Sequence, residues 1–277
     1  MPTAMMSVVA VNLGRVRIAT WNVNSIRARM DRVSSWLERS DVDVVALQET
    51  KCRDDQFPED RFKELGYEVA HHGLSQWNGV AICSRVGITD VAVGFEGQPG
   101  WGEPRAAEAR ALGATCGGVR VWSLYVPNGR ELSDPHYEYK LDWLAKLRDV
   151  TSQWLADEPD LPLALMGDWN IAPEDDDVWD MAPFEGKTHV SDAERAAFQA
   201  ILDAGMDDVV RPHTRGPGVY TYWDYKQLSF PKRRGMRIDF ILGAPAFAKR
   251  VDSAMIDREE RKGKGPSDHA PVIVDLA

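Results

Sequence analysis

The sequence predicts an α/β protein built as a four-layer sandwich, with two mixed, mostly antiparallel sheets packed face to face and helices outside. Short β-branched or aromatic runs bounded by turn residues alternate with longer stretches of helical apolar periodicity. Several neighbouring runs, such as 67–70 and 79–83, are joined by connections too short for a crossover helix, so antiparallel pairs must occur. Several runs are apolar on both faces. That suits a strand covered on one side by a partner sheet and on the other by helices.

At 277 residues and 44% hydrophobic content the chain can bury one large core, and no Pro/Gly/Ser-rich linker divides it. Residues 1–14 read as an N-terminal extension. The apolar stretch from Met5 to Val11 has no basic region before it and no small-residue cleavage pattern after it, so it fails as a signal peptide. One domain then spans 15–277. Strands are expected at 15–20 (RVRIAT), 42–47 (VDVVAL), 67–70, 79–83 (GVAIC), 119–126 (VRVWSLYV), 161–166, 219–223, 237–242 and 270–276. Helices are expected where Ile26, Met30, Val33 and Leu37 repeat, where Leu141, Leu144, Leu147 and Trp154 repeat, and where Phe198, Ile201 and Leu202 repeat. The last of these opens on a capping box, Ser191 with Glu194, and stops at Gly205.

Cys52, Cys83 and Cys116 are few, odd in number and without CxxC spacing, which argues against a disulfide framework or a structural zinc site and points to a reducing compartment. No run approaches the roughly 20 apolar residues of a membrane span. A cytoplasmic protein with no membrane association is expected. The net charge of −10 argues at face value against a polyanionic partner, but its distribution is uneven. From 150 to 184 there is no Lys or Arg, whereas Lys226, Lys232, Arg233, Arg234 and Arg237 form a loop free of acids, and Arg258, Arg261, Lys262 and Lys264 precede the last strand. These basic segments read as a phosphate-facing rim on an acidic body.

Polar groups recur where apolar strands stop. RVRIAT runs into Asn22, VDVVAL into Glu49, VRVWSL into Tyr125 and then Asn128, and LALMG into Asp168 and Asn170. Asp239 lies inside RIDFIL, and Asp268 and His269 precede the final strand. Singly, each has an ordinary reading as turn residue, loop charge or cap. Asp239 is the exception, since a carboxylate in a core strand needs a partner, and His269 is the candidate. In a sheet with antiparallel members the start of one strand shares an edge with the end of its neighbour, so all these groups can meet at one rim.

Such a rim suits a hard cation. Mg²⁺ takes oxygen ligands and is typically held by one or two carboxylates plus a substrate phosphate, so Glu49 with Asp268 or Asn22 would suffice. An Asp–His pair can orient water or bind a phosphoryl oxygen, and Asn170 and Asn128 can donate to non-bridging oxygens. The reaction this predicts is metal-assisted attack of water on a phosphate ester.

Taken in order, "TWNVNSIRAR" (20–29), "ALQETK" (46–51), "NGVAI" (78–82), "LYVPNG" (124–129), "MGDWNIAP" (166–173), "MRIDFIL" (236–242) and "SDHAPV" (267–272) resemble the exonuclease III family of apurinic/apyrimidinic endonucleases, within the endonuclease/exonuclease/phosphatase superfamily. The resemblance implies the same four-layer sandwich, dependence on Mg²⁺ or Mn²⁺, incision 5′ to abasic sites, and 3′ to 5′ exonuclease or 3′-phosphatase action on duplex DNA. It implies Glu49 as principal metal ligand, with Asn22 and Asp268 nearby. Asp168 would position or deprotonate the attacking water with Asn170 beside it, Asp239 and His269 would form the buried dyad, and Tyr125 the active-site phenol. Tyr222, Trp223, Met236 and Ile238 align with a patch that receives an extrahelical base-less sugar, and Asn24, Lys51, Arg110, Asn128 and Lys226 with backbone contacts. The expected partner is duplex DNA with abasic sites or free 3′ ends, acted on by a monomer; pairing with a replication sliding clamp stays open. Trp169 in the variable slot of the GDxN motif and the acidic 174–180 run depart from the pattern. Two other readings compete: a superfamily phosphoesterase acting on a phospholipid or inositol phosphate, and a non-catalytic nucleic-acid binder.

Overall fold

The computed structural model describes residues 15–214 and 216–277; the extension expected at 1–14 lies outside the described residues. In chain order the strands are β1 (Val16–Asn22), β2 (Val44–Gln48), β3 (Glu68–His72), β4 (Val80–Ser84), β5 (Thr89–Val93), β6 (Ala111–Cys116), β7 (Val119–Tyr125), β8 (Leu163–Asp168), β9 (Asp207–Asp208), β10 (Asp239–Gly243), β11 (Val251–Ile256) and β12 (Val272–Leu276). The helices are α1 (Ile26–Ser40), α2 (Glu59–Glu64), α3 (Pro135–Asp157), α4 (Asp192–Asp203) and α5 (Pro245–Ala248). The strands form two six-stranded sheets, ordered β11-β12-β1-β2-β4-β3 and β5-β6-β7-β8-β10-β9. Only β1–β2 and β7–β8 are parallel.

Strand alternation builds the layers. In β2, Val44 and Ala46 face the other sheet, where they join Ile18, Val121, Met166, Ile241 and Val274. Val45 and Leu47 face outward, onto Trp36, Ile26 and Phe62 of the two helices on that side. The second sheet does likewise, with Leu165 and Phe240 packed under Trp143, Leu144 and Phe198 of α3 and α4. Each such large side chain removed from water contributes about 1.5–3 kcal/mol, so the register of every central strand is specified by two cores at once. Helix starts follow from capping. Asp134 accepts from His136 N at 2.8 Å ahead of Pro135, and the expected Ser191–Glu194 capping box opens α4.

The strand expected at 219–223 does not form. Its backbone is divided among several neighbours: Tyr222 pairs with Met236, Trp223 N donates to Asp268 O at 2.9 Å, and Thr221 O accepts from Ala270 N at 2.7 Å. No single partner continues long enough for a ladder. β5, β6, β9 and β11 were not expected. β5 and β11 are edge strands with mostly exposed or half-exposed residues and so lack an apolar signature.

Candidate active site

One end of the sandwich collects the carboxyl ends of β1, β2, β7 and β8. It also collects the amino ends of β10 and β12, which run antiparallel to β8 and β1. In the second sheet the register sets Asp168 beside Tyr125 on one side and Asp239 on the other. In the first it sets Asn22 beside Gln48, so that Glu49 follows immediately. Face-to-face packing closes the gap: Asn22 Nδ2 donates to Glu49 Oε1 at 2.8 Å and, across the sheets, to Asp168 Oδ2 at 2.9 Å.

The connecting turns are bent sharply to achieve this. Asn24, Glu49, Lys51, Asn170 and His189 all have left-handed φ, between 44° and 80°, a conformation that non-glycine residues hold only where surrounding structure over-determines it. At the Glu49 turn the determinants are visible. Ser25 N donates to Glu49 O at 2.7 Å, Thr50 N to Gly79 O at 3.1 Å and Lys51 N to Asn78 O at 2.9 Å. Gly79 has φ +92°, and a Cβ there would sit 2.1 Å from Thr50 Oγ1. Only glycine lets the turn close.

His269 Nδ1 lies 2.8 Å from Asp239 Oδ2, and its Nε2 lies 3.7 Å from Asp168 Oδ2. Burial alone would lower the pKa of His269, but Asp239 and Asp168 outweigh it and raise it to about 10, which keeps the ring protonated. Burial, reinforced by Asp239 and Glu49 and opposed by His269, lifts Asp168 to about 7. Removal from water would also raise Glu49, yet Lys51 at 2.7 Å and the Asn22 amide hold it below the ordinary carboxylate value. Loss of hydration and the charge of Glu49 push the Tyr125 phenol well up, so it stays protonated.

Asn170 N donates to Asp168 Oδ1 at 2.9 Å, and Asn128 Nδ2 donates to Asn170 Oδ1 at 3.1 Å. Asp268 stands one layer out, accepting from Asn24 Nδ2 at 3.0 Å, while Lys51 Nζ bridges Asn24 and Glu49. Tyr222 is half-buried with its ring 4.9 Å from that of His269, and Lys226 is exposed.

Several of the residues expected to contact DNA are buried. Arg110 is 4% exposed, bonded to Glu108 at 2.7 Å and stacked over the Tyr125 ring at 4.9 Å, so it supports the phenol from behind. Trp223 and Ile238 are 1% and 2% exposed and belong to the interior, with Met236 at 8% packed beside Ile238. The basic rim is also smaller than expected. Arg237 is buried on Asp208 at 2.7 Å, Lys262 pairs with Glu259 at 2.7 Å, and Arg261 is buried. Lys226, Lys232, Arg233 and Arg234 keep no carboxylate partner among the described residues.

Two features were not anticipated. His189 Nε2 lies 3.2 Å from Asn170 Oδ1 and 3.3 Å from Asn128 Nδ2. Burial and the nearby Lys140 lower its pKa to about 4, so its ring is neutral. Lys140 and Glu194 form an ion pair with both side chains 0% exposed, and Lys140 Nζ also donates to the Asn128 and Asn170 carbonyls. A lone histidine in a loop carries no sequence signal. The capping-box role of Glu194 hides its second partner, and the helical position of Lys140 hides its burial.

Donor atoms of Glu49, Asp168 and His269 lie within 4.8 Å of one another. Among the described residues the cations bonded to Glu49, Asp168 and Asp239 are Lys51 and His269, and Asp239 Oδ1 has no partner there. Oxygen donors in excess of positive charge fit a hard divalent cation. Such a cluster, beside a base near neutral pKa, an imidazolium, a phenol and amide donors, can polarise a phosphate ester and direct water onto it.

The sequence pattern described as the Endonuclease/Exonuclease/phosphatase family matches residues 19–269. The chain belongs to this family. Within the family it is similar to an exodeoxyribonuclease III of Haemophilus influenzae, with 30% identity over 273 residues covering 94% of this chain and 100% of that protein. In structure it is similar to a 3′ phosphatase from Neisseria bound to a product DNA hairpin, with TM-score 0.88, 36% identity and coverage of 95% of this chain and 99% of that one. It is likewise similar to an AP endonuclease from Archaeoglobus fulgidus, with TM-score 0.85, 34% identity and coverage of 94% and 98%. The family match encloses every converging residue from Asn22 to His269. No helix among the described residues is long and apolar enough to cross a membrane.

Proposed function

We propose that this site hydrolyses phosphodiester and 3′-phosphate bonds of duplex DNA at 3′ ends and 5′ to abasic sites, with Mg²⁺ or Mn²⁺. The chain is a nuclease of the DNA-repair type, as its family and its exodeoxyribonuclease III and AP endonuclease relatives have it. The observation that carries the finer reading is the convergence of Glu49, Asp168 and His269, with Asp239 bonded to the imidazole from behind.

Glu49, with Asn22 and Asp168 alongside, would hold the cation, which when bound supplies Lewis-acid polarisation of the phosphate. Asp168, buried within hydrogen-bond reach of the site's amides, accepts the proton of the attacking water. His269, kept charged by Asp239, donates from Nε2 to a non-bridging oxygen as negative charge develops. Tyr125 stays protonated and available as a donor beside Glu49. Asn128 and His189 sit at the Asn170 edge, where their ring and amide nitrogens line the approach of the phosphate. Lys226, Lys232, Arg233 and Arg234 attract the flanking duplex.

The test is an end-labelled duplex carrying one abasic site and a 3′-phosphate, incubated with and without Mg²⁺. Cation-dependent incision, resection or phosphate release supports the reading. Turnover of an inositol polyphosphate but not of DNA would replace it with the lipid-phosphoesterase reading, and DNA retention without any turnover would replace it with a binder.

A further inference from the structure

Arg261 is a cation that a DNA backbone cannot reach. It belongs to the basic run before β12, yet it is 6% exposed and its guanidinium points inward. Nη2 donates to the carbonyl of Trp223 at 3.0 Å and Nη1 to the carbonyl of Ser267. The guanidinium carbon stands 5.5 Å from the Tyr225 ring centre and 5.2 Å from that of Phe230. Both hydrogen bonds go to main-chain carbonyls and neither to a carboxylate. Burying a charge in this way is costly, so the arrangement calls for a role.

The two carbonyls belong to the two loops that frame the site. Ser267 anchors the catalytic segment: its Oγ donates to Asn22 O at 2.7 Å and accepts from His269 N at 3.2 Å. Trp223 opens the loop that carries Lys226 to Arg234, and its N donates to Asp268 O at 2.9 Å. Tyr225 closes the same joint from the other side, donating to Pro266 O at 2.8 Å and accepting from Arg29 Nη2 at 3.1 Å. Arginine is the residue for this position. Its planar fork binds two carbonyls while its faces stack on rings, which a lysine ammonium cannot do together.

We propose that Arg261 and Tyr225 are positioning residues that register the basic loop 223–235 against the His269 segment, so that a duplex held by the loop presents its phosphorus to Asp168 and His269. This rests on the DNA-cleaving reading above. Neither residue touches the reacting atoms. Their effect therefore falls on the rate at saturating DNA more than on binding, since small misplacements of reacting groups reduce rate steeply.

The experiment measures kcat and KM separately for the whole chain with Mg²⁺ on a 3′-phosphate duplex, for wild type, Arg261→Lys, Tyr225→Phe and the double variant, with thermal unfolding of each. Arg261→Lys is expected to lower kcat about tenfold and Tyr225→Phe about threefold, with KM moving less than about threefold. The double variant is expected to lose less than the product of the single losses, because both changes loosen one joint. Folded variants with wild-type kcat, single losses that multiply independently, or an effect confined to KM would each overturn the proposal. Should Arg261→Lys fail to fold, Tyr225→Phe decides alone, since it removes one hydroxyl from a ring that is 50% exposed. A wild-type chain with no Mg²⁺-dependent turnover of DNA would instead overturn the underlying reading, and the proposal with it.

Discussion

Glu174, Asp175, Asp177 and Asp208 are each held by a guanidinium, from Arg211, Arg195, Arg211 and Arg237 in turn, at 2.7 to 3.2 Å. Glu49, Asp168 and Asp239, at the other acidic concentration, have among the described residues Lys51 and the imidazolium of His269. The two groups are alike in composition, and each is one cation short of its acids, but they differ in exposure: Glu174 and Asp175 are more than half exposed, whereas Asp168 and Asp239 are buried. The first is a joint that fastens residues 174–177 to α4 and to the turn after β9, with Arg237, just before β10, held on Asp208 of β9 beside it. The second leaves oxygen donors facing one another, which is stable only with protons or a cation between them. Three acids of the run that seemed out of place beside DNA, Glu174, Asp175 and Asp177, are thus paired within the protein.

The comparison is broken most severely by removing a donor from the sparse cluster. Glu49→Ala or Asp168→Asn is expected to lower nuclease turnover roughly a thousandfold or more with an unfolding midpoint close to wild type, checked by a gel assay beside calorimetry; wild-type turnover in either would sink the assignment. EDTA should likewise stop turnover, with Mg²⁺ restoring it. In the arginine-paired cluster the effects exchange places. Arg211→Met leaves Asp177, 2% exposed, without its nearest cation, and should cost about 2 kcal/mol in urea unfolding, less than a fully enclosed pair because the arginine head is partly solvated. Its kcat should match wild type.

The smallest effect concerns pH. Asp168 raised to about 7 and His269 raised to about 10 mean that the folded metal-free chain keeps protons which the unfolded chain releases near its ordinary values of roughly 4 and 6.5. Stability contributed by these groups is present in acid and is lost as pH rises across that window. A bound cation takes over the role of the protons. Mg²⁺ should therefore raise the unfolding midpoint by a few degrees more at pH 8 than at pH 5, and the reverse order would contradict the account.

The residues that meet at the candidate site were legible because each interrupts a run that has no other reason to stop. Asn22, Glu49 and Asp168 end apolar strands, and Asp239 stands at the head of one. The same contrast made β1, β2, β4, β7, β8 and β12 readable. It fails at β5 and β11, whose exposed faces carry mixed residues, and at β6, where Gly113 makes room for the Trp122 ring that a Cβ would approach to 2.7 Å. Charge is hard to place from sequence because its partner and its burial are set by the fold. Arg237 counts as basic rim until Asp208 is seen beside it, and Arg110 as a DNA contact until Glu108 and the Tyr125 ring enclose it. Loop geometry placed His189 at the site, and no periodicity announces that.

Soaking a crystal of the whole chain in Mn²⁺ and locating the ion by anomalous scattering addresses the central claim most directly. A single strong peak within about 2.5 Å of a Glu49 oxygen, with none at the Asp175–Asp177 segment, is the predicted result. A peak on the arginine-bound acids, or an ion that ignores Glu49 and Asp168, would contradict the account.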